Sequence, residues 1–202
     1  MEQILNHIEL SGTVLCAPEF SHENHGTRFF SFILEVARLS GTVDRLRVLC
    51  SEALLEQTPL CTGSEIAVSG QVRSFNQRTG ERRRLVISVF AAALVDSDGP
   101  PQNQVELIGA LCKDPIYRRT PLGREICDAM LAVDRPYHRT DYLPCIFWGK
   151  TAQKIAALPV GTQIHLQGRL QSRDYVKLLE DRSETRTAYE ISAILAEPLT
   201  GE

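Results

Sequence analysis

The stretch "IELSGTVLCAPEF" occupies residues 8–20, and "VELIGALCKDPIY" occupies residues 105–117. Glu9 answers Glu106, Leu10 answers Leu107, Gly12 answers Gly109, Pro18 answers Pro115 and Phe20 answers Tyr117, each pair 97 positions apart. The echo resumes where "GSEIAVSGQVRS" (63–74) answers "GTQIHLQGRLQS" (161–172) at an offset of 98. One small loop insertion accounts for the change. A period of this length is too long for a solenoid repeat and fits a duplicated domain. Between the copies, "DSDGPPQNQ" (96–104) has no apolar residue and reads as a linker. The sequence therefore predicts domain one at 1–96, a linker at 97–102 and domain two at 103–197.

Each half reads as short strands. Ile8, Leu10 and Val14 alternate with polar positions, as do Val105, Leu107 and Leu111, and then Ile164, Leu166 and Leu170. Gly12, Gly70, Gly109 and Gly168 fall at inward mid-strand positions, the mark of a bend or bulge in a tightly coiled barrel. One short helix per half is expected, "SEALLEQ" (51–57) and "KTAQKIAAL" (150–158), the second capped by Thr151 and stopped by Pro159 and Gly161. The order is strand, strand, strand, helix, strand, strand, twice. The fold class is thus all-β with one short helix per domain, as two tandem OB-fold barrels. A β-sandwich or another small barrel is the alternative.

The 202 residues are 43% apolar and 23% charged, ordinary for a globular protein. Apolar runs stop well short of the roughly 20 residues of a membrane helix, and "MEQILNHIEL" is no signal peptide. A cytoplasmic, nucleoid-associated protein with no membrane partner is expected. The six cysteines form no C-x-x-C pair and read as small thiols in a reducing compartment. "SHENH" (21–25) reads as a polar loop rather than a metal site. There is no phosphate-binding loop, dinucleotide fingerprint or nucleophile elbow, so no enzyme, cofactor or metal is expected. Net charge is −3, so any polyanion contact must come from local patches.

The most informative run is "DYLPCIFWGK" (141–150). Leu143, Cys145 and Phe147 make an inward apolar face, so Tyr142, Pro144, Ile146 and Trp148 point outward. On the fourth strand His165, Gln167, Arg169, Gln171, Arg173 and Tyr175 share the outward face, and Tyr137 sits in a loop between Arg135 and Arg139. Rings and arginines on one face suit single-stranded nucleic acid: bases stack on rings at about 1–3 kcal/mol each and cations neutralise phosphates. Tyr and Trp at these positions also suit a core or a dimer interface.

"NQVELIGALCKDPIYRRTPLGREICDAMLAV" followed by "FWGKTAQKIAALPVGTQIHLQGRLQSRDY" resembles the bacterial single-stranded DNA-binding protein family. The shared signs are an N-x-V-x-L-x-G-x-L start, a D-P, a central G-K before the helix, and the closing G-x-L strand. The resemblance implies that Tyr137, Tyr142, Trp148 and Tyr175 stack on bases, three of them as Tyr where the family commonly has Trp. Phosphate or base contacts are expected at Arg135, Arg139, Lys150, Arg169 and Arg173. Pro144 stands where the family often has an arginine, which removes one phosphate partner. His138 and His165 are also expected to meet phosphates or bases.

Domain one fits the same outline with its stacking positions not aromatic. Arg45, Arg47 and Leu49 are outward in "GTVDRLRVLCSE" (41–52), Gln77 stands at the counterpart of Tyr175, and Phe75, two residues earlier on the same face, is expected to contact nucleic acid. It resembles primosomal replication protein B, a small relative that binds single strands more through basic residues. "RTGERRR" (78–84) reads as a hairpin tip placing Arg82, Arg83 and Arg84 toward nucleic acid. The chain stops at "SAILAEPLTGE" without the acidic tail of housekeeping relatives, so a specialised, restart-linked or mobile-element role is expected. The partners expected are single-stranded DNA, a second copy in a homodimer displaying four OB-folds, and replication-restart proteins. A protein-interaction module with weak nucleic-acid binding is the rival reading, and RNA is an alternative ligand because stacking does not read the 2′-hydroxyl.

Overall fold

The computed structural model describes residues 4–79, 82–178 and 183–199, with the side chains of residues 78, 79, 82, 83, 177 and 178 outside the described set. The first half runs β1 (Asn6–Val14), β2 (Glu19–Asn24), β3 (Thr27–Ala37), β4 (Val43–Ser51), α1 (Glu52–Gln57), β5 (Glu65–Thr79) and β6 (Arg82–Asp96). The second half repeats this as β7 (Gln102–Leu111), β8 (Ile116–Arg119), β9 (Glu125–Arg135), β10 (Arg139–Trp148), α2 (Gly149–Ala156), β11 (Gln163–Leu178) and β12 (Ser183–Pro198).

In each half the first strand curls enough to pair at both ends. β1 pairs with β5 through Ile8↔Gly70 and with β3 through Thr13↔Glu35, which closes the barrel β1-β3-β4-β6-β5. β4 and β6 meet in parallel at Val48↔Val89, as β10 and β12 do at Cys145↔Ile191. Five strands closed this way, with a helix between the third and fourth, form the OB-fold barrel. Inward residues at period two fill it: Leu34, Leu46 and Val48 in the first barrel, Leu131, Leu143 and Phe147 in the second.

The glycines expected at bends are there for a steric reason. A Cβ on Gly70 would overlap the carbonyl oxygen of Phe90, and one on Gly168 that of Ser192. Both lie at β-bulges, between Ser69 and Gly70 and between Gln167 and Gly168. The bulge lets a strand turn sharply enough to close so small a barrel.

Three local expectations need correction. Among the described residues each half has six strands, not five, because β2 and β8 fold back on β3 and β9 as short hairpins. "SHENH" is thus mostly strand β2, its turn carried by His25 and Gly26 at positive φ. The second helix starts at Gly149, not after Thr151. Its N-cap position is Trp148, which makes no side-chain cap bond. Gly149, at φ +55°, lets the chain pass straight from strand to helix without a cap.

The two barrels share one sheet. β1 lies antiparallel to β7 from Asn6↔Leu107 to Ser11↔Gln102. Ile8 faces Val105, its own counterpart at the 97-residue offset, so a local two-fold axis passes between them. Side-chain contacts obey the same axis. Asn6 brackets Val72, donating from Nδ2 to its carbonyl (2.8 Å) and accepting its N–H (3.0 Å). Asn103 brackets Leu170 in the same way at 2.7 and 3.0 Å. Asp44 of β4 accepts the Ser172 N–H of the other barrel at 2.7 Å, and Asp141 of β10 accepts the Ser74 N–H at 2.6 Å. The serines answer: Ser172 Oγ accepts the Arg45 N–H (2.9 Å) and Ser74 Oγ the Tyr142 N–H (2.8 Å).

Candidate nucleic-acid interface

The outward face of the second barrel follows from register. β10 turns Tyr142, Pro144 and Trp148 toward the surface while Leu143, Cys145 and Phe147 are buried; Ile146, expected outward by parity, is also buried, at 5% exposure, under the groove. β12 sets Ser192 beside Ile146, β11 sets Arg169 beside Ser192, and β9 sets Ile126 beside Trp148. β8 adds Arg118 beside Ile126. These strands floor a groove of about 650 Å³.

Trp148 stands in this groove, 37% exposed. Its Nε1–H donates to Ser192 Oγ at 3.1 Å, which fixes the ring plane. Five arginines line the same groove: Arg38, Arg118, Arg124, Arg169 and Arg173. The Nε of Arg169 is buried with no hydrogen-bond partner among the described residues. Arg118 donates to Asp128 at 2.6 Å, a bond that raises its pKa.

Arg38 was not legible as a site residue, because it belongs to the first barrel. It donates bidentately to the fully buried Asp44, with Nε at 2.7 Å and Nη2 at 2.5 Å, and this bond raises its pKa. Asp44 in turn holds the Ser172 N–H, so the carboxylate locks Arg38 against the second barrel's groove.

Arg135, the counterpart of Arg38, lies 3.0 Å from the buried Asp141 and is itself largely covered. It pairs with Asp141 within the second barrel, and Asp141 in turn holds the Ser74 N–H of the first. Burial pushes the Asp141 carboxyl above the usual carboxylate range, against the N–H of Ser74 and the charge of Arg135. Arg73 is near this pair and stacks over the Phe90 ring, 3.9 Å from its centroid. Its pKa is lowered, chiefly by burial and then by Arg135.

The remaining predicted residues lie at several places. Tyr175 is in a second groove of about 530 Å³ between the barrels, with Arg47, Arg84, Arg186 and Tyr189. Arg84 reaches across it to donate to the Thr187 carbonyl at 3.3 Å. Tyr137 tips the β9–β10 turn, 92% exposed, with φ of +65° there and +54° at His138. A tyrosine in the left-handed region is uncommon and holds its ring out into solvent. Arg139 is exposed at the base of that turn, Lys150 on α2 and Tyr142 on β10. The side chains of Arg82 and Arg83 lie outside the described residues.

His165 and Gln167 keep the outward parity of β11, and both side chains hydrogen-bond Glu106 of β7, at 2.7 and 3.0 Å. These bonds, Gln167 first, hold the Glu106 carboxyl below its ordinary pKa. Among the described residues no cluster of three or more His, Cys, Asp or Glu could hold a metal, and no helix is long and apolar enough to cross a membrane.

The fold and this face together define a tandem OB-fold protein whose second barrel carries a ring-and-arginine groove. Comparison with known proteins agrees on the fold and gives the family. The model of the Single-strand binding protein family matches residues 102–197. A single-stranded DNA-binding protein of Halalkalibacterium halodurans is 33% identical over 102 residues, covering 47% of this chain and 57% of that one. Single-stranded DNA-binding protein B of Bacillus subtilis is 38% identical over 80 residues, covering 36% of this chain and 71% of that protein. The chain belongs to the single-strand binding protein family. It spans about half the length of the first curated relatives it matches. The wild-type single-stranded DNA-binding protein of Thermus aquaticus shares the fold, with a TM-score of 0.80 at 24% identity, covering 100% of this chain and 96% of that one.

Proposed function

We propose that this protein binds single-stranded DNA without sequence preference, in replication, recombination or repair, and that the second barrel's groove is the main contact. The observation that carries the reading is the ring of Trp148 among five arginines on one open groove. A base stacked on an oriented indole gains about 1–3 kcal/mol whatever its identity. Guanidinium groups stay charged at any physiological pH and neutralise phosphates, so binding weakens with salt. Tyr175 with Arg84 and Arg186 continues the face into the groove between the barrels.

The assembly proposed is a homodimer displaying four barrels. Ile194 and Leu195 on β12 and Val95 on β6 are exposed apolar residues that a second copy would cover. Sedimentation equilibrium of the full chain tests this: a mass of two chains is expected, and a monomer overturns it.

Binding is tested by the emission of Trp148, the only tryptophan. Oligo-dT is expected to quench it strongly at low salt and more weakly at moderate salt. An unchanged spectrum without a gel shift overturns the proposal and favours a protein-interaction module. Oligo-U run beside oligo-dT separates DNA from RNA preference.

A further inference from the structure

We infer that Glu190 reads the base bound beside Trp148, and that it gives the second barrel's groove a preference for bases whose open edge carries N–H donors, guanine first and thymine last. The inference rests on the proposed function and deepens it. Stacking tolerates every base, and one carboxylate adds a bias on top. Glu190 is the only carboxylate among the described residues that line this groove, against five arginines. A negative charge on a surface built for phosphates weakens binding unless it meets a donor.

The surroundings of Glu190 leave it open to a ligand. Among the described residues none of the five arginines forms an ion pair with it; Arg38 is held by Asp44 and Arg118 by Asp128. Its field still reaches both, adding to the upward pKa shifts that those two bonds chiefly cause. Its side-chain partner is the buried Gln171, whose Nε2–H donates to Glu190 Oε1 at 2.7 Å. That bond steadies the carboxylate. Oε1 keeps a second lone pair, and Oε2 has no hydrogen-bond partner among the described residues.

Register puts this carboxylate next to the stacking ring. Gln171 of β11 faces Glu190 of β12, and two positions along the same strands Arg169 faces Ser192. Ser192 Oγ holds the Trp148 indole at 3.1 Å. Glu190 therefore stands two residues from the ring's anchor, about 7 Å along the strand, which a base stacked on the indole spans. The two barrels differ at this place. Ile191 meets Cys145 as Val89 meets Val48, so Arg73 and Ser88 are the register counterparts of Gln171 and Glu190. Both members of the pair are exchanged, so closing an OB-fold barrel does not require the carboxylate.

An ionised carboxylate only accepts hydrogen bonds, so it sorts bases by their donors. Guanine offers N1–H and the N2 amino group side by side, two donors for two oxygens. Cytosine and adenine each offer one amino group beside a ring nitrogen that accepts. Thymine offers a single N3–H between two carbonyl oxygens, which the carboxylate repels. These edges are free to be read only where the strand is unpaired.

The test titrates the full chain, by Trp148 quenching and gel shift, with three oligomers of about 10 nucleotides, a length one barrel takes. One is oligo-dT, the second carries deoxyguanosine at two separated positions, and the third carries deoxyinosine there. Hypoxanthine has the ring system of guanine without the N2 amino group, so it separates stacking from donor readout. Wild type is expected to bind the guanine oligomer about fivefold tighter than oligo-dT and about threefold tighter than the inosine oligomer. In Glu190→Gln, and in Glu190→Ser with the residue of the first barrel, the guanine and inosine oligomers are expected to bind alike, and oligo-dT more tightly than in wild type. Equal guanine and inosine affinities in wild type overturn the inference, as does a guanine preference that survives in both variants. Variants that tighten all three oligomers by one factor make Glu190 a repelling charge only, and overturn it equally. If no oligomer changes Trp148 emission or shifts in a gel, the proposed function itself falls and the inference with it.

Discussion

Two buried carboxylates, Asp44 and Asp141, hold the barrels together, and the surroundings of Asp141 set its pH behaviour. Asp141 has no exposed side-chain surface, and burial raises its pKa. A carboxyl whose folded pKa lies above its unfolded value favours the fold when protonated. That contribution is complete below the ordinary aspartate pKa and is lost as pH rises through the raised one. Melting temperature across this acidic window should therefore fall with rising pH more steeply in wild type than in Asp141→Asn. Equal slopes would mean the carboxyl is not perturbed. Arg38 and Arg173 make a separate prediction. Each is expected to contribute one phosphate contact, so Arg173→Ala and Arg38→Gln should each lower the salt slope of oligo-dT binding by about 0.7. An unchanged slope for Arg38→Gln would leave that residue a purely structural partner of Asp44. Trp148 was legible in the sequence because strand parity alone sends it outward. Arg38 was not, since its groove belongs to residues about a hundred positions away. The partner of Arg135 was hidden for a related reason: Asp141 lies 3.0 Å away on the neighbouring strand, which parity along one strand does not show.

Strands explain both what the sequence told and what it hid. Alternation marked the inward rows in both halves, and two of the four mid-strand glycines, Gly70 and Gly168, marked the bulges, because a Cβ there would meet a carbonyl oxygen. Gly168→Ala must push β12 away from β11 or flatten the bulge. A loss of about 1–3 kcal/mol is expected from overpacking, read as a shift in the denaturant midpoint. An unshifted midpoint would mean the bulge relaxes freely. The extra hairpin strands β2 and β8 were missed because they are almost wholly exposed. Without a buried face they carry no apolar alternation. Parity along β4 and β5 was readable, but Phe29 comes within 5.9 Å of Phe90 only once β3, β4 and β6 are set in register. Pairing between distant strands is invisible to a reading along the chain.

The whole molecule is an internal pair with near two-fold symmetry. The repeat showed that two copies exist, but not how they meet. That depends on which strand positions β1 and β7 bring opposite each other, and Ile8 against Val105 settles it. Asn6 and Asn103, Asp44 and Asp141, and Ser74 and Ser172 then fall into matched roles across the axis. With so many links the barrels should unfold as one unit. Calorimetry is expected to give a single transition, whereas two separate ones would show that the links do not couple them.

Covering β1 with β7 also has a consequence for the chain when it is damaged. Either strand, left alone, would offer an unpaired row of amides and carbonyls, the kind of surface on which aggregation begins. Here each copy shields the other, and the short exposed connection at residues 97–101 only tethers them. A protease nick at Gly99 should thus release nothing, with both fragments eluting together on a sizing column. A single half expressed by itself would have to find a substitute for the missing strand, and the nearest match is another copy of itself.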